Sequence, residues 1–272
     1  MNRPERPQAM FPMPDLMAGT DERNIAIDQV GIRGLKYPLS FADADGVAQP
    51  TIAVANVYVA LPEDRKGTHM SRLVALLESV SAPGESPLTV HSLRELLDTL
   101  VVLLEAPGGR IELAFPYFVR KSAPVSGVAS RLDYEVKLAG ELDSGVYRQT
   151  QTVAVPVTSL CPCSKEISEY GAHNQRSTVT VTVVPAAPLW LIEMIRIAEE
   201  EASCELYGLL KRADEKYVTE HAYNHPKFVE DLVRGVASRL AADPRVDGYA
   251  VEAENFESIH NHSAFARIVR GL

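Results

Sequence analysis

Residues 151–184 read QTVAVPVTSLCPCSKEISEYGAHNQRSTVTVTVV. Valine recurs at alternate positions in 151–157, and threonine alternates with valine in 177–184. This two-residue period predicts two β-strands. The segment between them, 158–176, is polar and interrupted by proline and glycine, which predicts a loop. The loop carries thiol, imidazole, ammonium and carboxylate groups between two strands, an arrangement typical of a reactive site.

Composition and charge limit the kind of protein that this can be. The 272 residues are 46% hydrophobic and 23% charged, enough for one large domain or two fused smaller ones. With 27 Lys+Arg against 36 Asp+Glu, the net charge is −9, so we expect no nucleic-acid and no membrane partner. Three cysteines argue against a disulfide framework and favour a reducing cytoplasm. Residues 1–15 lack the apolar core of a secretory signal, and no apolar run approaches the length of a transmembrane helix.

The flanking sequence predicts strands and helices in a repeated order. The predicted strands are 24–35, 51–61, 110–119, 132–138, 146–157, 177–184 and 246–255, and the predicted helices are 69–79, 92–105, 189–203 and about 226–241. Residues 214–220 are predicted as a helical turn and 263–269 as a short strand or helix. Pro226 is expected at the first position of its helix, and the glutamate run 199–201 is expected to be a solvated face.

The order of these elements favours the α+β class. The pattern β-β-α-α-β-β occurs twice, which indicates an antiparallel sheet with helices on one face. We expect a loosely ordered N-terminal arm over 1–22, because this segment is rich in proline, methionine and charge. Two modules, about 23–142 and 143–272, follow it.

Cys161 and His173 are candidate metal ligands in the loop. A thiolate and an imidazole suit zinc or a similar divalent ion, and a catalytic site needs a third protein ligand. The possible third ligands are Glu215, His221, His225, Glu257, His260 and His262. Cys161 could instead be a buried structural cysteine, a nucleophile activated by His173, or a redox partner of Cys163. Spacing alone ranks the structural cysteine first, the metal ligand second, the nucleophile third and the redox pair last.

Lys66, His69 and Arg72 lie at the start of a predicted helix. Helix N-termini and nearby cations both favour phosphate. Spacing alone nevertheless favours a solvated helix end over an anion site.

Five motifs, in order, resemble the type IB GTP cyclohydrolase I family. They are KGTHMSR at 66–72, PYFVRKSAPVSG at 116–127, SLCPCSKEIS with GAHNQR over 159–176, FVED at 228–231 and ESIHNH at 257–262. The resemblance spans nearly the whole chain, and several motifs are seven or more residues long. It implies the tunnelling fold and a homotetramer with active sites at subunit interfaces. The implied reaction converts GTP and water to 7,8-dihydroneopterin triphosphate and formate, the first step toward folate-type pterins.

The resemblance also assigns residues. The metal, zinc or manganese and possibly iron, would be held by Cys161, His173 and Glu215. Glu230 would anchor the guanine, and Glu257 and His260 would act with Cys161 in catalysis. Cys163 matches the motif but is given no ligand role. The cations proposed for the triphosphate are Lys66, His69, Arg72 and Lys121, with Arg120 and Lys165 as further candidates.

Two other functions stay open. One is a tunnelling-fold enzyme that binds a purine or pterin, uses Cys161 as a covalent nucleophile and needs a nicotinamide cofactor. The other is a metal-binding oligomer without catalysis.

Overall fold

One antiparallel sheet runs through the computed structural model, which describes residues 15, 17, 19–82 and 84–272. Its strands are β1 Ile27–Phe41, β2 Gln49–Leu61, β3 Gly108–Ser122, β4 Ala129–Asp143, β5 Val146–Leu160, β6 Asn174–Pro185, β7 Cys204–Glu205, β8 Val246–Asn255 and β9 Ala264–Arg270. The helices are α1 Met70–Ser79, α2 Ser92–Leu104, α3 Pro162–Ile167, α4 Leu191–Glu201, α5 Arg212–Asn224 and α6 Val229–Ala242. The strand order is β1-β2-β3-β4-β5-β6-β8-β9, and β7 pairs with β5.

Side-chain alternation gives the sheet one buried face and one more exposed face. Val136, Val153, Val181 and Val251 are cross-strand partners on β4, β5, β6 and β8, and all are buried. The neighbouring row, which includes Glu135, Thr180 and Glu252, is half-buried or exposed. Neighbouring residues of a strand point to opposite faces, so the valine row forms the core.

The helices cover the valine face. α2 packs on β3 and β4, α4 on β5, and α6 on β8. Apolar residues at helical spacing turn inward, as in α2, where the buried residues are Leu93, Leu96, Leu97 and Leu100. This layering confirms the predicted α+β class with an antiparallel sheet and helices.

The predicted element order holds in the first half of the chain and is longer in the second. The first half runs β1-β2-α1-α2-β3-β4, and the second adds α3, β7 and α5 to the predicted elements. The sheet continues from one half to the other through the β4–β5 hairpin. The division into two modules stays a prediction, and most of the expected arm, residues 1–14, 16 and 18, lies outside the described residues.

Two local predictions were wrong, and a third was right in type but too short. The loop 158–176 contains α3, which has six residues, none of them buried, so it gives no apolar period. The helical turn predicted at 214–220 is part of the thirteen-residue α5, whose buried residues are Asp214 and Ala222 alone. Pro226 is not at the first position of α6, because that helix begins at Val229 with Phe228 as its N-cap.

The sheet has two ends, which carry different motifs. The hairpin end holds the β4–β5 turn, the end of β2 and the start of α1. The cysteine end holds the ends of β3 and β5 and the start of β6. At the cysteine end β4 no longer pairs with β5, and β7 pairs there with Val157 and Thr158 instead. We call residues 204–224, which comprise β7 and α5, the insertion. Among the described residues no helix is long and apolar enough to cross a membrane.

Candidate active site

Cys161 and His173 are held together by the pairing of β5 with β6. The Cys161 N–H donates to the His173 carbonyl oxygen at 3.1 Å. The Ser164 hydroxyl donates to the Cys161 carbonyl at 3.1 Å and accepts the His173 N–H at 3.2 Å. Cys161 is half-buried, whereas Cys163, two residues on in α3, is exposed. The backbones of the two predicted ligands are therefore neighbours, and Cys161 rather than Cys163 is the cysteine joined to His173.

Gln175 fixes how the His173 ring presents its nitrogens. The Gln175 Oε1 lies 3.0 Å from His173 Nδ1, and Gln175 is buried. An amide oxygen can only accept, so Nδ1 donates this hydrogen bond, and in the neutral ring Nε2 then keeps its lone pair. A neutral imidazole held in this way is the usual form of a metal-ligating histidine, and the donor set fits a borderline metal.

The start of α6 is attached to the same place. The Lys227 N–H donates to the carbonyl oxygen of Leu160, the residue before Cys161, at 3.1 Å. Glu230 lies in the first turn of α6 and is exposed. The predicted guanine anchor is therefore at the cysteine end.

The β8–β9 loop lies on the other side of His173. The Phe256 N–H donates to the Arg176 carbonyl at 3.0 Å, and the Ser258 hydroxyl lies 3.5 Å from His173 Nδ1. This loop contains Glu257, which is half-buried, and His260, which is exposed. The structure therefore brings the loop that contains Glu257 and His260 to the cysteine end, where the third predicted catalytic residue, Cys161, lies.

Glu215 is not gathered with the other two predicted ligands. It is exposed in the first turn of α5. The far end of α5 is tied to the cysteine segment, because the Lys165 ammonium donates to the Tyr223 carbonyl at 2.6 Å. Across the part of the chain that the structure describes, no three His, Cys, Asp or Glu side chains are close enough to hold a metal ion.

Lys121 lies in a buried ion cluster. Its ammonium pairs with Glu199 at 2.7 Å and with Glu205, and the side chains of Lys121 and Glu199 are 7% and 9% exposed. The Tyr134 hydroxyl also donates to Glu199, at 2.6 Å. Burial raises the pKa of Glu199, while the Lys121 ammonium lowers it. The prediction of a solvated glutamate run was wrong for Glu199, because its carboxylate is buried against Lys121 of β3 and Tyr134 of β4. The predicted contact of Lys121 with a triphosphate stays a prediction.

The other predicted cations are divided between the two ends. Lys66 and Arg72 are exposed at the hairpin end, where the Arg72 guanidinium donates to the Leu103 carbonyl at 3.0 Å. His69 Nε2 lies there too, 3.2 Å from the Asp15 carboxylate. Arg120 lies at the cysteine end, exposed near the end of β3.

Comparison with known proteins shows the family to which the chain belongs. The family model described as type I GTP cyclohydrolase FolE2 matches residues 13–266. The chain belongs to the type I GTP cyclohydrolase FolE2 family. GTP cyclohydrolase FolE2 1 of Burkholderia cenocepacia (strain HI2424) is 61% identical over 260 residues, which cover 96% of this chain and 95% of that one. GTP cyclohydrolase FolE2 of Nitrosomonas eutropha is 58% identical, covering 95% and 96%.

A solved structure supports the fold of this FolE2 family member. A uricase from Bacillus fastidious superposes with a TM-score of 0.52 at 9% identity, covering 92% of this chain and 94% of that chain. At that identity the likeness concerns the fold alone, and the α+β tunnelling fold is thereby confirmed.

Sequence reasoning missed three residues of the site. Gln175, Ser258 and Asp214 were given no role, although each lies in or beside a motif or next to a predicted ligand. A signal for Gln175 was available, because residues two apart on a strand share a face and His173 immediately precedes β6.

Proposed function

We propose that this chain is a GTP cyclohydrolase I, which hydrolyses GTP to 7,8-dihydroneopterin triphosphate and formate with a divalent metal ion. For a member of this family, one observation supports the proposal. The backbones of Cys161 and His173 are hydrogen-bonded to each other, and Gln175 binds the histidine Nδ1, which leaves Nε2 of the neutral ring available to ligate a metal. We place the enzyme in the cytoplasm, in keeping with its unpaired cysteines.

The metal would be held by Cys161, His173 and, from α5, Glu215. When bound, a divalent ion lowers the pKa of a coordinated water toward neutrality and polarises the group under attack. The thiolate favours zinc at equilibrium, and manganese or iron are the alternatives for the working metal.

The remaining side chains would orient the purine and move protons. Glu230 can accept paired hydrogen bonds from the guanine N1–H and 2-amino group, which suits an exposed carboxylate. The imidazole of His260 can accept and donate protons, so it can transfer a proton to the opening imidazole ring of the purine. Glu257, three residues before it in the same loop, would serve as its carboxylate partner.

The position of the predicted phosphate-binding cations supports sites built from two subunits. β5 has fifteen residues, so the hairpin and cysteine ends are roughly 45 Å apart at about 3.3 Å per residue. Lys66, His69 and Arg72 are at one end and Cys161 is at the other. A triphosphate is far shorter than this separation, so these cations would reach the site only from a neighbouring subunit. β1 and β9, at the two edges of the sheet, offer surfaces for that assembly, which we propose to be a homotetramer.

The decisive experiment follows product formation from GTP. Protein stripped with chelator is supplied with zinc, manganese or no metal, and the fluorescent neopterin product is measured after oxidation. We expect metal-dependent product that is lost in Cys161→Ala and retained in the matched control Cys163→Ala, whose exposed thiol lies nearby. Activity without metal that requires a nicotinamide cofactor would favour the nucleophilic relative. Bound metal without turnover would indicate the non-catalytic oligomer.

A mixing experiment tests the shared site. Cys161→Ala and Lys66→Ala proteins are each assayed alone at low GTP, and then after co-assembly from dissociated subunits. If the two residues meet across an interface, some mixed sites carry both native side chains, and activity rises above that of either parent. Activity that stays at the average of the two parents would show that Lys66 and Cys161 do not form one site across an interface.

A further inference from the structure

Asp214 joins two distant parts of the chain at the start of α5. It is fully buried, and its Oδ1 accepts the N–H groups of Val125 at 2.9 Å and Ser126 at 2.8 Å. Its Oδ2 accepts the Ser126 hydroxyl at 2.6 Å and the Lys211 N–H at 2.9 Å. One carboxylate therefore caps α5 and holds the β3–β4 turn, which is nearly ninety residues away in sequence.

The β3–β4 turn is shaped to present those donors. The Ala123 N–H donates to the Val128 carbonyl at 2.9 Å, and the Gly127 N–H donates back to the Ala123 carbonyl at 3.0 Å. Gly127 has φ +68°, a left-handed conformation that favours glycine. The turn is thus closed on itself, and the N–H groups of Val125 and Ser126 are left to bind a carboxylate.

Neighbouring positions on a helix face different ways. Successive helical residues are rotated by about 100°, so Asp214 can face the turn while Glu215 is exposed beside it. Fixing Asp214 therefore fixes the backbone from which the Glu215 carboxylate extends. α5 is held at its other end as well, through Tyr223 and Lys165.

We propose that Asp214 is a positioning residue for the metal site: with the turn 123–127 it sets where Glu215 is held relative to Cys161 and His173. This also gives a role to the SAPVSG segment, 122–127, which binds the insertion through Asp214. The inference rests on the proposed function, because it takes Glu215 as the third ligand.

The experiment measures metal affinity directly. Stripped protein is titrated with zinc, and separately with manganese, in competition with a chromogenic chelator at a temperature where circular dichroism shows each variant folded. Asp214→Asn keeps the volume but replaces Oδ2 by an amino group that faces the Lys211 N–H. Loss of a residue that orients a ligand typically weakens metal binding about 10–100-fold, and we expect a change in that range.

Asp43→Asn is the matched control. Asp43 is also buried and also caps a helix, accepting the Leu191 N–H at 3.1 Å and the Ile192 N–H at 2.8 Å, yet it touches no predicted ligand. We expect its metal affinity to stay within about twofold of wild type. Ser126→Ala removes a single hydroxyl from an exposed residue and should weaken metal binding in the same direction as Asp214→Asn, by a smaller factor.

The outcomes distinguish failure of the positioning role of Asp214 from failure of the proposed metal site. If Cys161→Ala does not weaken metal binding, the proposed metal site itself is wrong. If Cys161→Ala does weaken it while Asp214→Asn stays within twofold of wild type, only the positioning role is overturned. Should Asp214→Asn not fold, Ser126→Ala decides, and wild-type affinity there would refute the role.

Discussion

Replacing Lys121 by methionine should cost far more stability than a surface lysine would. The ammonium is 7% exposed and neutralises Glu199, which is 9% exposed, together with Glu205. Removing one partner of a buried pair strands a charge and costs about 3–5 kcal/mol. For a chain of this size each kcal/mol shifts Tm by about 2–4 °C, so Tm should fall by roughly 6–20 °C.

The assay pairs thermal unfolding with GTP kinetics. Lys121→Met is compared with Lys121→Met/Glu199→Gln, in which the stranded carboxylate is also neutralised. If charge burial sets the cost, the double variant recovers much of the lost Tm. If the two carboxylates hold the Lys121 ammonium away from the triphosphate, KM for GTP should change little in the folded fraction. An unchanged Tm with KM raised tenfold or more would refute it and show that the ammonium binds phosphate.

Two further predictions concern α6 and the turn after it. Gly235→Ala should raise stability by about 0.5–1 kcal/mol in thermal unfolding, because alanine favours a helix and the atoms closest to the added carbon, Oε2 at 2.3 Å and Cδ at 2.9 Å, are the movable end of the Glu201 side chain; a lower Tm would contradict this. Hydrogen bonds from Arg245 lower the pKa of Asp243, so the stability from this pair is present above the ordinary carboxyl pKa and lost as pH falls through the lower folded value. The difference in urea midpoint between wild type and Asp243→Asn should therefore be constant from about pH 5 to 8 and shrink below about pH 4; a difference that grows in acid would contradict the sign.

Elements with a clear apolar period were predictable from sequence. The strand predicted at 246–255 is β8 with the same bounds, and the leucine stripe predicted over 92–105 is α2, within one residue. Elements without such a period were missed or shortened. α5 is polar and stabilised by one capping carboxylate and by contacts with β5 and β7, neither of which appears as hydrophobic spacing.

The site was predictable in its residues but not in its contacts. Cys161 and His173 were named as candidate ligands from their residue types and the family resemblance, and pairing of the two strands that flank 158–176 brings their backbones together. The burial of Lys121 could not be foreseen, because it depends on the two-residue strand β7 reaching β5 and placing Glu205 over the end of β3. Long-range polar contacts of this kind leave no local pattern, so the sequence does not reveal the two carboxylates that pair with Lys121.

The strand order has a consequence for how the chain is made. Apart from β7, every strand pairs with the next one along the chain, so no strand waits for a partner from the far end of the sequence. A polypeptide leaving the ribosome can therefore add each strand to a growing sheet edge as it emerges. The longest interval is the one from β6 to β8, where sixty residues containing α4, the insertion and α6 must be made before the sheet can extend; the interval from β2 to β3, which contains α1 and α2, is shorter. Growth of the sheet would stop during this interval. The cysteine segment would already be formed, while Glu215, the third proposed ligand, would not yet have been synthesised.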